Sequence, residues 1–230
     1  MTVNDQLVRA YLDSESMEKY RDEWFFRMLE TGKNVFEYPA QSAQMAKSVE
    51  MLWQAFEEAT HVFRPANVAI WNALFPNWPS IPVHIDLIVG FPKPYDAVTM
   101  KDAAGHTHIV LDLIRWCDYG MPKDAEGVVR NLLAHEMTHA FIAARCPEAD
   151  AAADGKDYRP KLDGLTFHEG FAHLIAYENR RIDRVNWDSD FWKQIEETSR
   201  SKMRAAVAET DPEKQKKHLR NGFCGRYEEK

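Results

Sequence analysis

The chain has 230 residues, enough for one sizeable core, and its 45% hydrophobic and 12% aromatic residues exclude an intrinsically disordered protein. Its formal net charge of −7 argues against a nucleic-acid partner, because phosphate binding requires a basic surface. Three scattered cysteines are too few for a disulfide framework. No signal-peptide pattern and no apolar run of membrane-spanning length is visible, so a cytoplasmic protein without a membrane partner is expected.

The N-terminal part of the chain is predicted to be helical. Residues 14–31 carry an amphipathic stripe, which Ser14 would cap and Gly32 would end. Residues 42–63 place apolar side chains at alternating steps of four and three, which indicates a helix packed against its own domain. Residues 71–82 contain three prolines and two tryptophans and are predicted to be an irregular connection.

A small sheet is predicted next. Residues 83–89 and 106–114 alternate apolar side chains onto one face, and residues 95–100 form a third, short strand. His106 and His108 share the other face of their strand. Two histidines at this spacing can begin a metal site, but without a third ligand nearby they are more simply explained as a polar strand face.

The segment 132–141, LLAHEMTHAF, contains the pattern HExxH. His135 and His139 are four residues apart, so on a helix their imidazoles share one face and can bind one Zn²⁺. Glu136 lies about 100° around the helix from His135. From there its carboxylate can act as the general base towards a water molecule. Apart from Glu136 no Asp, Glu, Lys or Arg occurs in the segment, as a helix buried beside a metal requires.

The third ligand is predicted from a second segment. Catalytic zinc sites commonly have three protein ligands. The extended pattern HExxHxxGxxH is excluded, because Ile142 and Arg145 occupy its Gly and His positions. The string Glu169-Gly-Phe-Ala resembles the Glu-Gly-Phe-Ala segment of gluzincin aminopeptidases. This resemblance, which covers about 129–145 and 166–178, implies that Glu169 is the third zinc ligand, carried on a second helix of a zincin-type fold.

Alternatives to this ligand set stay open at the level of sequence. Thr166-x-x-Glu169 is also a capping box, in which Glu169 closes back on the helix start. The helix predicted to carry HExxH also resembles the corresponding helix of SprT-type proteases, in which a third histidine completes the set of metal ligands. This makes His168 the second choice, although the chain reads His168-Glu-Gly-Phe where those proteases have His-Gly-x-x-Phe. His173, one turn after Glu169, is either a partner of the ligands or an ordinary half-buried histidine.

The remaining predicted elements complete the organisation of the chain. The helix that carries HExxH is predicted to run from about 124 to 146, and a long connection follows over 148–165. The second ligand helix is predicted to run from Thr166 to about Arg181. Two further helices occupy 191–209 and 211–219, and Asp211 would cap the last one. The chain then divides into a helical N-terminal part at 1–80 packed on the same domain, a zincin-like catalytic core at 81–186, and C-terminal helices at 187–230.

Taken together, these features predict an α+β protein with a zincin-like metallopeptidase domain. A small sheet precedes two ligand-bearing helices, and further helices lie at both ends. The predicted function is hydrolysis of peptide bonds in a peptide or protein substrate, with one Zn²⁺ per chain. Candidate donors to the developing oxyanion are Tyr158, Arg159, His173 and Tyr177. The alternatives are a non-catalytic or regulatory zinc protein that binds a partner, and a metal hydrolase of a non-peptide amide or ester.

Overall fold

Helices and one small sheet build a mixed α+β fold, in agreement with the predicted class. The computed structural model describes residues 1–29, 33–61, 63, 65, 68–118, 125–176 and 188–223. The strands are β1 (Thr2–Asn4), β2 (His84–Ile88), β3 (Ala97–Lys101) and β4 (Thr107–Asp112). The helices are α1 (Gln6–Leu12), α2 (Trp24–Met28), α3 (Ala43–His61), α4 (Val68–Leu74), α5 (Leu113–Asp118), α6 (Ala125–Arg145), α7 (Pro147–Asp154), α8 (Tyr158–Ile175), α9 (Asp190–Ala208) and α10 (Pro212–Phe223).

The sheet has the strand order β1-β2-β4-β3. The β1–β2 and β2–β4 pairs are parallel, whereas β3 is antiparallel to β4 and forms one edge. The three strands predicted from sequence are confirmed, and Ile85, Leu87, Ile109 and Leu111 are buried as their alternation requires. The short strand β1 was not predicted, because three exposed residues carry no alternating pattern.

The prediction of one helix over residues 14–31 is wrong. A 3₁₀ turn at Met17–Tyr20 and the short helix α2 occupy this stretch, and Glu23 between them has an extended backbone. Ser14 has φ 57 and does not cap a helix. The break buries the adjacent Phe25 and Phe26 together and leaves Met28 57% exposed, an arrangement that a continuous amphipathic stripe does not allow.

The helix predicted at 42–63 is confirmed as α3. The irregular connection predicted at 71–82 is wrong at its start, because α4 includes Trp71 and continues to Leu74. The indole of Trp71 is fully buried and meets the ring of Phe141 edge-on, with 5.4 Å between centroids. This contact packs α4 against α6, the helix that carries the HExxH pattern.

A helical hairpin replaces the connection predicted at 148–165. Helices α7 and α8 fill this stretch, so α8 begins at Tyr158 and not at Thr166. The two helices pack closely because Gly164 faces Ala153: a Cβ atom on Gly164 would lie 2.5 Å from the backbone nitrogen of Ala153. Helix α7 is rich in alanine and carries little hydrophobic periodicity, which explains why the sequence pattern missed it, whereas α8 was predicted only from Thr166 onward.

The C-terminal helices predicted at 191–209 and 211–219 are confirmed as α9 and α10. Asp211 caps α10, since its Oδ1 accepts hydrogen bonds from the backbone N–H groups of Glu213 and Lys214. Within the described ranges, no helix has the length and apolarity needed to cross a membrane.

Candidate metal centre

Helix α6 brings the two histidines of the HExxH pattern together. The helix packs on α3, α8 and strands β3 and β4, and its apolar residues Leu133, Met137 and Phe141 are buried. His135 and His139 project from one side of it, and their Nε2 atoms lie 3.2 Å apart. Both side chains are largely enclosed, with 10% and 13% of their surfaces exposed.

Helix α8 places Glu169 opposite this pair. Glu169 Oε2 lies 3.5 Å from His135 Nε2, and Glu169 Oε1 lies 3.6 Å from His139 Nε2. Ligand atoms around a tetrahedral Zn²⁺ with bonds of 2.0–2.1 Å are about 3.3–3.5 Å apart. The three side chains therefore offer two imidazole nitrogens and a carboxylate at separations that fit a zinc ion.

The capping-box alternative for Glu169 is wrong. Thr166 lies well inside α8, not at its start, and its hydroxyl donates a hydrogen bond of 2.7 Å to the carbonyl oxygen of Leu162 in the preceding turn. A glutamate in the helix interior has no free N-terminal amide to close back on. The carboxylate of Glu169 is instead directed at the histidines.

His168, the second choice for third ligand, is not directed at the centre. Its ring stacks on that of His139, with centroids 5.7 Å apart and planes 20° from parallel. Two overlapping groups of side chains in the described structure have ligand atoms that all lie within 4.8 Å of one another and could hold a metal ion: His135, Glu136 and His139, and His135, Glu169 and His173. The set His135, His139 and Glu169 takes its members from both groups. His168 belongs to neither of them.

The charge states suit metal binding. Burial is the main cause that lowers the pKa of His139 to about 3, and the neighbouring histidines add to it, so the imidazole is neutral at physiological pH. Burial also lowers the pKa of His135, but Glu169 and Glu136 outweigh it and raise the pKa overall. For Glu169 burial raises the pKa, whereas the three nearby histidines lower it overall and keep the carboxylate charged.

Glu136 is enclosed beside the ligands. Its Oε1 lies 4.0 Å from His135 Nε2, and its Oε2 accepts a hydrogen bond of 2.9 Å from the hydroxyl of Thr99 on β3. Burial raises the pKa of Glu136 to about 7, against the opposing effects of His135 and Thr99. Sequence reasoning missed Thr99, because no local pattern shows which residue of the edge strand will meet the helix.

A cleft of about 270 Å³ opens beside Glu136, between β3 on one side and helices α7 and α8 on the other. Ala97, Val98 and Thr99 line it from the edge strand, and Glu169 and His139 line it from the centre. A larger cavity of about 970 Å³ lies between the N-terminal residues and the second half of α3. None of the predicted site residues lines that cavity, so the smaller cleft is the relevant one.

Of the predicted oxyanion donors in the described part of the chain, only His173 lies at the centre. Its Nε2 lies 3.7 Å from Glu169 Oε2, and its ring meets that of His135 edge-on at 4.7 Å. Tyr158 and Arg159 lie at the other end of α8, about 15 Å along its axis from Glu169. There Tyr158 donates to the carbonyl of Ala206 and Arg159 binds Asp163. Tyr177 lies outside the described residues.

The two histidines of the polar strand face have local partners. His108 Nδ1 is hydrogen-bonded to Asp86 at 2.6 Å, and His106 Nδ1 to Asp102 at 3.0 Å. The ring of His108 also stacks on that of His84, directly opposite on β2.

Comparison with known proteins identifies no relative of this chain. No protein-family model matches the chain, and neither a curated protein nor a solved structure matches it. The function is therefore inferred from the centre itself.

Proposed function

We propose that this protein is a zinc-dependent metallopeptidase of the zincin type, with one Zn²⁺ held by His135, His139 and Glu169. The observation that supports the metal is the set of ligand separations of 3.2, 3.5 and 3.6 Å among these side chains. Two imidazoles and one carboxylate form a donor set that zinc hydrolases use. When bound, zinc would supply a Lewis acid for a carbonyl oxygen and lower the pKa of water to about 7.

The enclosed carboxylate of Glu136 is the single observation that carries the enzymatic proposal. A purely structural zinc site has no need of a base, and a buried carboxylate destabilises a protein unless it is paired. Glu136 is nevertheless kept beside the ligands, where the hydroxyl of Thr99 holds its carboxylate, and burial raises its pKa to about 7 in the metal-free protein. Glu136 would accept a proton from the attacking water and deliver it to the leaving amine. Thr99 would hold the carboxylate in position for both steps.

The edge strand supports a peptide as the substrate. In the described sheet β3 pairs with β4 on one side, and its other side borders the cleft. The free backbone groups of such an edge can bind an extended peptide as an additional strand. A peptide bound along Ala97–Thr99 would lie next to Glu136 and the metal ligands.

One observation favours a second candidate, a zinc protein that binds a partner without cleaving it. His173 lies close enough to Glu169 to serve as a further ligand, and a site with four protein ligands is typical of structural zinc. The two candidate functions differ in their need for Glu136: hydrolysis requires its carboxylate as the base, whereas binding of a partner does not.

The test compares wild type with Glu136→Gln, both loaded with zinc, on a broad peptide library read by mass spectrometry. We expect cuts by wild type that disappear with a chelator and fall by about 10²–10⁴ in rate in Glu136→Gln, which keeps its zinc. Glu148→Gln, an exposed glutamate on the neighbouring helix α7, is the matched control and should cut like wild type. Absence of cutting by zinc-loaded wild type, or equal cutting by Glu136→Gln, would reject the proposal.

A further inference from the structure

We propose that His173 is a fourth protein ligand, which closes the metal centre at rest and leaves it when substrate binds. This rests on the proposed metallopeptidase function, but its test is independent of cleavage.

The first support is that two facing helices each carry a pair of possible ligands at the same spacing. His135 and His139 are four residues apart on α6, and Glu169 and His173 are four residues apart on α8. Residues at this spacing share one face of a helix. Helices α6 and α8 pack against each other, and Glu169 of the second pair lies 3.5 and 3.6 Å from the two histidines of the first, which brings His173 to the side of Glu169 and His135.

The second support is the set of distances to His173. Its Nε2 is 3.7 Å from Glu169 Oε2, comparable with the 3.5 and 3.6 Å between Glu169 and the other histidines. The ligand atoms of His135, Glu169 and His173 lie within 4.8 Å of one another.

The third support is the difference in exposure within the set, which explains how the site opens. The side chains of His135, His139 and Glu169 are 10%, 13% and 29% exposed, whereas that of His173 is 49% exposed. Its imidazole, the most exposed of the four side chains, is therefore the one with room to turn out into solvent. The remaining three side chains then leave the open position that hydrolysis requires.

The test counts metal-bound imidazoles directly. The full chain, labelled with ¹⁵N-histidine and loaded with one equivalent of Zn²⁺, is studied by long-range ¹H–¹⁵N correlation without substrate. Our proposal predicts three zinc-bound histidine rings in wild type and two in His173→Ala. Zinc affinity, measured by competition with a chelator, should fall at least about tenfold in His173→Ala.

A matched control is His106→Ala, which removes another exposed histidine, 61% exposed and paired with Asp102. It should keep three zinc-bound rings and wild-type zinc affinity. Two zinc-bound rings in wild type, together with unchanged affinity in His173→Ala, would overturn the proposal and leave His173 as a donor to the substrate. Three bound rings without any peptide cleavage would instead support the fourth ligand and reject the proposed enzymatic function.

Discussion

Glu136→Gln should stabilise the zinc-free protein, and more strongly at pH 8 than at pH 5. Burial raises the pKa of Glu136 from 4.5 to about 7 in the folded state. A raised carboxyl pKa means that folding favours the neutral form. Its contribution to stability is therefore fully present below pH 4.5 and is lost as the pH rises through about 7.

The size of the effect follows from the two pKa values. At 1.36 kcal/mol for each pKa unit, the charged carboxylate reduces the free energy of unfolding by about 3 kcal/mol at pH 8 and by less than about 1 kcal/mol at pH 5. Glutamine has no charge to bury, and its amide oxygen can still accept the hydrogen bond from Thr99. The stabilisation by Glu136→Gln should therefore be larger at pH 8 than at pH 5 by about 2 kcal/mol.

The assay is urea unfolding in a metal chelator, followed by circular dichroism at both pH values. Glu50→Gln on the exposed side of α3 is the control and should show no difference between the two pH values. An equal effect of Glu136→Gln at both pH values would refute the reasoning, because it would mean that burial does not hold this carboxyl in its neutral form.

Three further predictions address packing, the base and the metal. Gly164→Ala should lower the free energy of unfolding by about 1–3 kcal/mol, because the added methyl group would push α7 away from α8. The control is Gly170→Ala on the same helix, whose methyl group would meet nothing within 4 Å, so this change should be neutral or stabilising in thermal unfolding. Thr99→Val should move the acidic limb of the pH profile of the cleavage rate to higher pH, because it removes the hydroxyl group that lowers the pKa of Glu136. The zinc content should not change, and an unshifted acidic limb would contradict this prediction. Glu169→Ala should abolish tight zinc binding in equilibrium dialysis, and retained affinity would exclude Glu169 as a ligand.

Local sequence patterns were sufficient to predict the helices and strands whose hydrophobic residues recur at a regular spacing. Helix α3 has a regular apolar stripe, and strands β2 and β4 alternate apolar residues, so both kinds of element were predicted at nearly their observed bounds. Helix α7 and the part of α8 before Thr166 escaped prediction, because the contact between the two helices is made by alanine and Gly164. Those residues favour close approach of two backbones, which a pattern based on hydrophobicity does not register.

Sequence alone determined that His135, Glu136 and His139 would stand together, because a spacing of four residues fixes their relation within a single helix. Tertiary structure decided everything that joins this helix to the rest of the chain. It placed Glu169 inside α8 and directed it at the histidines, brought Thr99 from the edge strand to Glu136, and set His173 at the exposed rim. These relations depend on how α8 and β3 pack against α6, and packing between distant segments is not encoded in any short spacing.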